Sequence, residues 1–137
     1  MARVLIIDDD ELITNALFDH LRQSGVTVDL ALSPAEAEAL LLVNEYSLVL
    51  MDAYLTGQLS NRALELVDRV RTRRPDTHVL LLTAYGSQAL SDRVKHDAWI
   101  TVLAKPQPIP YLTEVIHGFL NQHQSFPDRP RGTTVSG

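Results

Sequence analysis

The sequence predicts an α/β fold: a doubly wound, five-stranded parallel sheet built from five consecutive βα units, (βα)5, with helices on both faces. Three observations predict it. Short runs of Val, Ile and Leu alternate along the chain with longer segments of helical period. Three of those runs, Val4–Ile7, Leu48–Met51 and Val79–Leu82, are apolar without a break, the mark of strands covered on both sides. Parallel strands also need long crossovers, which the intervening helical segments supply.

Val4–Ile7 is the first strand. Leu12, Ile13, Ala16, Leu17 and Leu21 then form one apolar stripe, and Gly25 is placed to cap that helix. Val26–Leu30, interrupted by Thr27 and Asp29, is the second strand. Ser33-Pro34-Ala35-Glu36 reads as a helix start, with serine as N-cap, proline at the first helical position and an acid in the first turn. Leu40, Leu41 and Val43 continue that helix to the strand Leu48–Met51. The third stripe is Ala63, Leu66, Val67 and Val70, stopped by Pro75. After the strand Val79–Leu82, Ala89, Leu90 and Val94 make a weaker fourth stripe. Ile100–Leu103, interrupted by Thr101, is the fifth strand, and Leu112, Val115, Ile116, Phe119 and Leu120 make a strong fifth helix.

The 137 residues suit one domain, expected over 1–123, with 124–137 as a disordered tail or linker that has no apolar period. Apolar residues at 45% and charged residues at 21% exclude a chain disordered throughout. With no cysteine, disulfides, thiolate metal sites and cysteine nucleophiles are ruled out. Twelve Lys+Arg against 17 Asp+Glu give a net charge of −5, a poor balance for a phosphate-backbone binder. No apolar run reaches the ~20 residues of a membrane span, and no targeting segment is visible, so a cytoplasmic protein without membrane association is expected.

Ligand sites of open α/β sheets lie beyond the carboxyl ends of the strands. Asp8, Asp9 and Asp10 follow the first run, Asp52 the third, Thr83 the fourth and Lys105 the fifth. Crowded carboxylates repel unless a cation joins them, and hard oxygen ligands suit Mg²⁺. Such a site attracts a phosphoryl group, which Thr83 and Lys105 can also hold. One neutralised carboxylate can then act as nucleophile and take the phosphoryl group as an acyl phosphate. Asp10 reads as a helix cap.

These residues carry a resemblance. Val4-Leu5-Ile6-Ile7-Asp8-Asp9-Asp10, Leu48-Val49-Leu50-Met51-Asp52, Leu80-Leu81-Leu82-Thr83-Ala84 and Leu103-Ala104-Lys105-Pro106, in that order, resemble the receiver domain of two-component response regulators over about residues 1–123. The resemblance implies a flavodoxin-like receiver fold with Asp52 as phospho-acceptor. It implies that Asp8, Asp9, Asp52 and the backbone carbonyl of Tyr54 hold Mg²⁺, and that Thr83 and Lys105 contact the phosphoryl group. It implies a cis bond before Pro106, and a sensor histidine kinase or histidine phosphotransfer protein as phosphoryl donor. The output face would be the fourth helix, fifth strand and fifth helix, which by position holds His96, Trp99, Val102, Tyr111 and Leu112 and offers a route to a homodimer. On this reading the chain catalyses only its own phosphorylation and dephosphorylation, and the short tail, too brief for a DNA-binding effector within these residues, suits either a stand-alone receiver or one cut at a linker.

Two positions depart from the family pattern. Val102 stands where an aromatic switch residue is usual, and Thr56 where proline is common after the acceptor, although Gly57 is in place. Tyr54 and Tyr85, two residues past Asp52 and Thr83, are expected to flank the path of a hydrolytic water and shield an acyl phosphate.

Two other functions compete. Asp8-Asp9-Asp10, Thr83 and Lys105 follow the order of a haloacid-dehalogenase-type Mg²⁺-dependent phosphatase, but Leu12 replaces the expected Thr or Val, and no acidic pair follows Lys105. The other is a receiver-like module that binds a partner without phosphorylation, kept open by Val102. The first turn has no glycine, which speaks against a Rossmann nucleotide site. The remaining polar residues read as structural. His20, His78, His96, His117 and His123 show no ligand spacing. Arg69, Arg71, Arg73 and Arg74 suit a solvated face at a helix carboxyl end. Trp99 and Tyr111 read as packing residues, and Arg129 and Arg131 are too few for a basic arm.

Overall fold

The computed structural model describes residues 2–8, 11–52, 61–83 and 88–125. Strands and helices alternate: β1 (Arg3–Ile7), α1 (Glu11–Gln23), β2 (Thr27–Ala31), α2 (Pro34–Val43), β3 (Leu48–Asp52), α3 (Asn61–Arg73), β4 (His78–Thr83), α4 (Gln88–Val94), β5 (Ile100–Ala104) and α5 (Ile109–Ser125). The strands form one sheet in the order β2-β1-β3-β4-β5, and every neighbouring pair is parallel. This is the doubly wound (βα)5 arrangement that the sequence predicts. The second strand sits one residue later than its apolar run, because Val26 precedes the first ladder position at Thr27.

Local chemistry sets the helix ends. Gly25 has φ of 89°, and the amides of Gly25 and Val26 donate to the carbonyls of Arg22 and Leu21, closing α1 with a Schellman turn that favours glycine. Ser33 caps α2: its hydroxyl accepts from the Glu36 amide at 3.2 Å, while the Glu36 carboxylate reaches back to the Leu32 amide at 2.9 Å. α3 stops at Arg73, two residues before Pro75, as the proline rule predicts. α5 continues through Ser125, so it covers the first two residues of the expected tail; 126–137 lie outside the described residues.

Side chains alternate across each strand, so the sheet divides the core in two. Leu5, Ile7, Val49, Met51, Val79 and Leu81 face α2, α3 and α4, meeting Ala37, Leu66, Val70 and Leu90. Val4, Ile6, Leu48, Leu50, Leu80 and Leu82 face α1 and α5, meeting Leu17, Leu21, Leu112, Ile116 and Leu120. The central strand β3 is buried along its whole length, which is why its run shows no alternation. Each such leucine contributes about 1.5–3 kcal/mol of burial, and cutting Leu81 to alanine costs about 2–5 kcal/mol. The side chains of Leu12, Ile13, Ala63 and Ala89, counted in the predicted stripes, lie outside the described residues. Among the described residues, no helix is long and apolar enough to cross a membrane.

Candidate functional site

Helices on opposite faces leave a crevice at the carboxyl ends of β1 and β3, where the strand order reverses direction. Asp8 follows β1 directly, Asp52 ends β3, Thr83 ends β4 and Lys105 follows β5. Because β1, β3, β4 and β5 are consecutive neighbours in the sheet, the four residues share one edge. Register keeps them level, with Asp52 opposite Leu82 and Thr83 opposite Ala104.

The three strand-end groups Asp8, Asp52 and Thr83 are buried. Backbone bonds fix their positions. The Asp8 amide donates to the Ala31 carbonyl at 3.1 Å, and the Lys105 amide donates to the Thr83 carbonyl at 2.7 Å. The Thr14 hydroxyl of α1 lies 3.5 Å from the Asp8 carbonyl oxygen. The Lys105-Pro106 bond is cis. From this fixed turn, Lys105 Nζ donates to Asp52 Oδ2 at 3.0 Å and stands 3.5 Å from Asp8 Oδ2. Burial by itself pulls the Lys105 pKa down. The hydrogen bond to Asp52 and the charges of Asp8 and Asp52 outweigh it and hold the ammonium above its ordinary value.

The structure thus brings together four of the predicted site residues, Asp8, Asp52, Thr83 and Lys105. Asp9 and Tyr54 lie outside the described residues, as do Thr56, Gly57 and Tyr85. Two buried carboxylates around one ammonium leave negative charge in excess, and their donors are hard oxygens. This donor set and charge fit a divalent cation such as Mg²⁺. Among the described residues alone, no group of three His, Cys, Asp or Glu side chains could hold a metal.

The opposite end of the sheet corrects the reading of the arginine run. Arg71 is no member of a solvated face: its Nε donates to Asp97 Oδ2 at 2.6 Å, and its Nη1 donates to the carbonyls of Pro75 at 2.8 Å and Thr77 at 3.2 Å. Its guanidinium also lies 5.8 Å from the centroid of the Trp99 ring. Trp99 packs at 4.4 Å from the His78 ring, which sits 4.7 Å from Phe119, so Trp99 is a packing residue as expected. No sequence spacing marks Arg71 and Asp97 as partners. On the expected output face, Tyr111 is 45% exposed, which corrects its reading as a packing residue; His96 is exposed and Val102 is half-buried against the core, but Leu112 is buried at 2% exposure. The apolar face of α5 turns Leu112 toward the sheet, so it offers no surface.

Comparisons with known proteins agree with this geometry. Residues 4–117 match the response regulator receiver domain family. The photosynthetic apparatus regulatory protein RegA of Cereibacter sphaeroides is 28% identical over 127 residues, 93% of this chain and 66% of RegA. The response regulator protein FleR of Pseudomonas aeruginosa is 35% identical over 106 residues, 77% of this chain and 22% of FleR. The chain thus spans between about a fifth and two thirds of the length of these relatives. Among solved structures, a CheY-like receiver domain protein from Methanospirillum hungatei superposes with a TM-score of 0.81 at 25% identity, covering 92% of this chain and 98% of that one. The response regulator TrrA of Thermotoga maritima, solved in complex with Mg²⁺ and BeF, superposes with a TM-score of 0.70 at 25% identity, covering 87% and 99%. The family match over residues 4–117 favours the receiver over the haloacid-dehalogenase-type phosphatase. The chain belongs to the response regulator receiver domain family of two-component systems.

Proposed function

We propose that this receiver accepts a phosphoryl group on Asp52 from a phosphohistidine, in a Mg²⁺-dependent reaction, and that the modified site switches a protein-interaction surface. The observation that supports this most is the shared ammonium of Lys105, which joins Asp8 and Asp52 at the carboxyl edge of the sheet. A carboxylate oxygen of Asp52 attacks phosphorus, the phosphorus–nitrogen bond to the donor imidazole breaks, and the imidazole leaves with the bond's electron pair. Lys105 follows the charge as it moves from the carboxylate to the phosphoryl oxygens, and the Thr83 hydroxyl donates to one of them. Asp8 and Asp52, with Asp9 and the Tyr54 carbonyl, would hold the Mg²⁺, which when bound supplies the positive charge that offsets the crowded oxygens. Burial of Asp52 at 7% exposure limits water at the acyl phosphate.

The donor on this reading is a sensor histidine kinase or a histidine phosphotransfer protein. TrrA, the relative solved with Mg²⁺ and BeF, supports the metal assignment by likeness. The chain turns over no external phosphate ester and acts as a switch: phosphorylation shifts an equilibrium of the α4–β5–α5 face, where Tyr111 and His96 are exposed, toward a partner or a second copy. Intact-mass measurement after incubation with acetyl phosphate tests the reading. A single added phosphoryl group in Mg²⁺, absent in chelator and absent in Asp52→Asn, is the expected result. An unmodified wild-type chain in Mg²⁺ points instead to a module that binds its partner without phosphorylation.

A further inference from the structure

α2 and α3 enclose a groove of about 440 Å³ on the sheet face away from α1 and α5. That volume lies within the ~300–1,000 Å³ of ordinary ligand clefts. Leu41, Leu42 and Leu66 supply apolar lining, and Arg69, Arg73 and Arg74 supply cations along one side. Both helices run antiparallel to the strands, so their carboxyl halves lie beside the amino ends of β3 and β4. The groove is thus at the end of the sheet opposite Asp52 and belongs neither to the acidic edge nor to the α4–β5–α5 face.

Two features set this groove apart. α2 ends in four successive apolar residues, Leu40 to Val43, and four successive positions run right round a helix, so the sheet cannot cover them all. Leu40 and Leu41 pack on the core, whereas Leu42 is 67% and Val43 77% exposed, the two most exposed large apolar side chains among the described residues. The charge is also local: the chain as a whole is at −5, yet three arginines gather beside these leucines. Glu38, 3.1 Å from Arg69, and the exposed Glu45, 3.5 Å from Arg74, are the acids set against them, and Arg73 is exposed. Cations suit the carboxyl end of α3 in their own right. That preference gives no reason for Leu42 and Val43 to face water next to them. A second copy of the chain fits poorly, because a twofold contact would set the same arginine row against itself.

We propose that the α2–α3 groove docks an acidic amphipathic helix of a partner protein. Its leucine-type side chains, at i, i+3 or i+4, and i+7, seat on Leu41 and Leu42, and its flanking carboxylates pair with Arg69, Arg73 and Arg74. The ten residues of α2 span about 15 Å, so the guest contributes about three turns. Helix-in-groove docking of this kind gives the receiver a contact that does not depend on the state of Asp52.

Two synthetic helical peptides of about 15 residues test the proposal. They share leucines at those three positions and differ in their flanking charges, all glutamate in one and all lysine in the other. Fluorescence anisotropy with the full chain is the readout. The glutamate peptide is expected to bind about tenfold or more tightly than the lysine peptide, to weaken about tenfold with Arg73→Glu, and to lose binding with Leu42→Asp. Its affinity falls as salt rises. Both substituted residues are exposed, and circular dichroism checks each fold; Arg73→Glu decides alone if Leu42→Asp fails to fold. Equal affinity for the two peptides, insensitivity to the substitutions, or no binding below about 1 mM overturns the proposal. So does a chain dimer in sedimentation that Leu42→Asp dissociates, since the occupant would then be a second copy.

Discussion

Lys105 Nζ lies 3.0 Å from Asp52 Oδ2 and 3.5 Å from Asp8 Oδ2, so one cation from beyond β5 serves two buried carboxylates from β1 and β3. The ammonium is held above its ordinary pKa despite burial. A raised folded value contributes stability that is fully present below the unfolded lysine pKa of ~10.4 and is lost as pH rises through the folded value. Lys105→Met is therefore expected to lower stability by about 2 kcal/mol in metal-free buffer at pH 7, with the deficit shrinking only in strong alkali. Urea titrations at neutral pH and above ~10.4 check this. A deficit that vanishes between pH 7 and 9 would contradict it.

Asp8 and Asp52 repel each other across a single ammonium, so the site holds a charge arrangement that favours a bound cation over the stability of the bare protein. Without metal, Asp8→Asn is expected to raise stability by about 1 kcal/mol. With Mg²⁺ at tenfold its Kd, the wild type gains about 1.4 kcal/mol and the variant gains little. Thermal melts with and without Mg²⁺ provide the comparison. Equal stabilisation of both proteins would remove Asp8 from the metal site.

At the other end of the sheet, Arg71 and Asp97 tie α3 to the turn before β5. Burial acts to raise the Asp97 pKa, but the hydrogen bonds from Arg71 and the Trp99 amide hold it below the ordinary aspartate value. A lowered folded value contributes stability present above the unfolded pKa of ~3.9 and lost as pH falls through the folded value. Asp97→Asn is expected to be about 1 kcal/mol less stable than wild type at pH 7, and Arg71→Ala about 2 kcal/mol less stable, because it also abandons the Pro75 and Thr77 carbonyls. The Asp97→Asn deficit closes as pH falls below the ordinary aspartate value and through the lowered folded one, where the wild-type carboxylate becomes protonated. Denaturant midpoints across pH 2–7 read it directly, and a deficit independent of pH would show that charge plays no part.

Much of this molecule was legible because parallel sheets write themselves plainly. Val4–Ile7, Leu48–Met51 and Val79–Leu82 are buried on both faces, so their sequences are unbroken, and the strand-end rule then turns chain order into spatial proximity. Asp8, Asp52, Thr83 and Lys105 could be gathered into one site for that reason. The Arg71 pairing carries no sequence signal because its partner Asp97 is 26 residues away, in a turn with no periodic relation to α3. Leu112 fits both a core stripe and an output face by sequence, and packing against the sheet decides for the core. The exposure of Leu42 and Val43 was equally hidden, since four apolar residues in a row give a helix no direction.

The central claim is that the Asp52 carboxylate itself receives the phosphoryl group. Borohydride reduction after treatment with acetyl phosphate and Mg²⁺ converts an aspartyl phosphate to homoserine, and peptide mass mapping then locates it. The account predicts homoserine at position 52 alone, only when Mg²⁺ is present, and strongly reduced in Lys105→Met. Homoserine at position 8 or 9, or none at 52 in the presence of donor and metal, would contradict it.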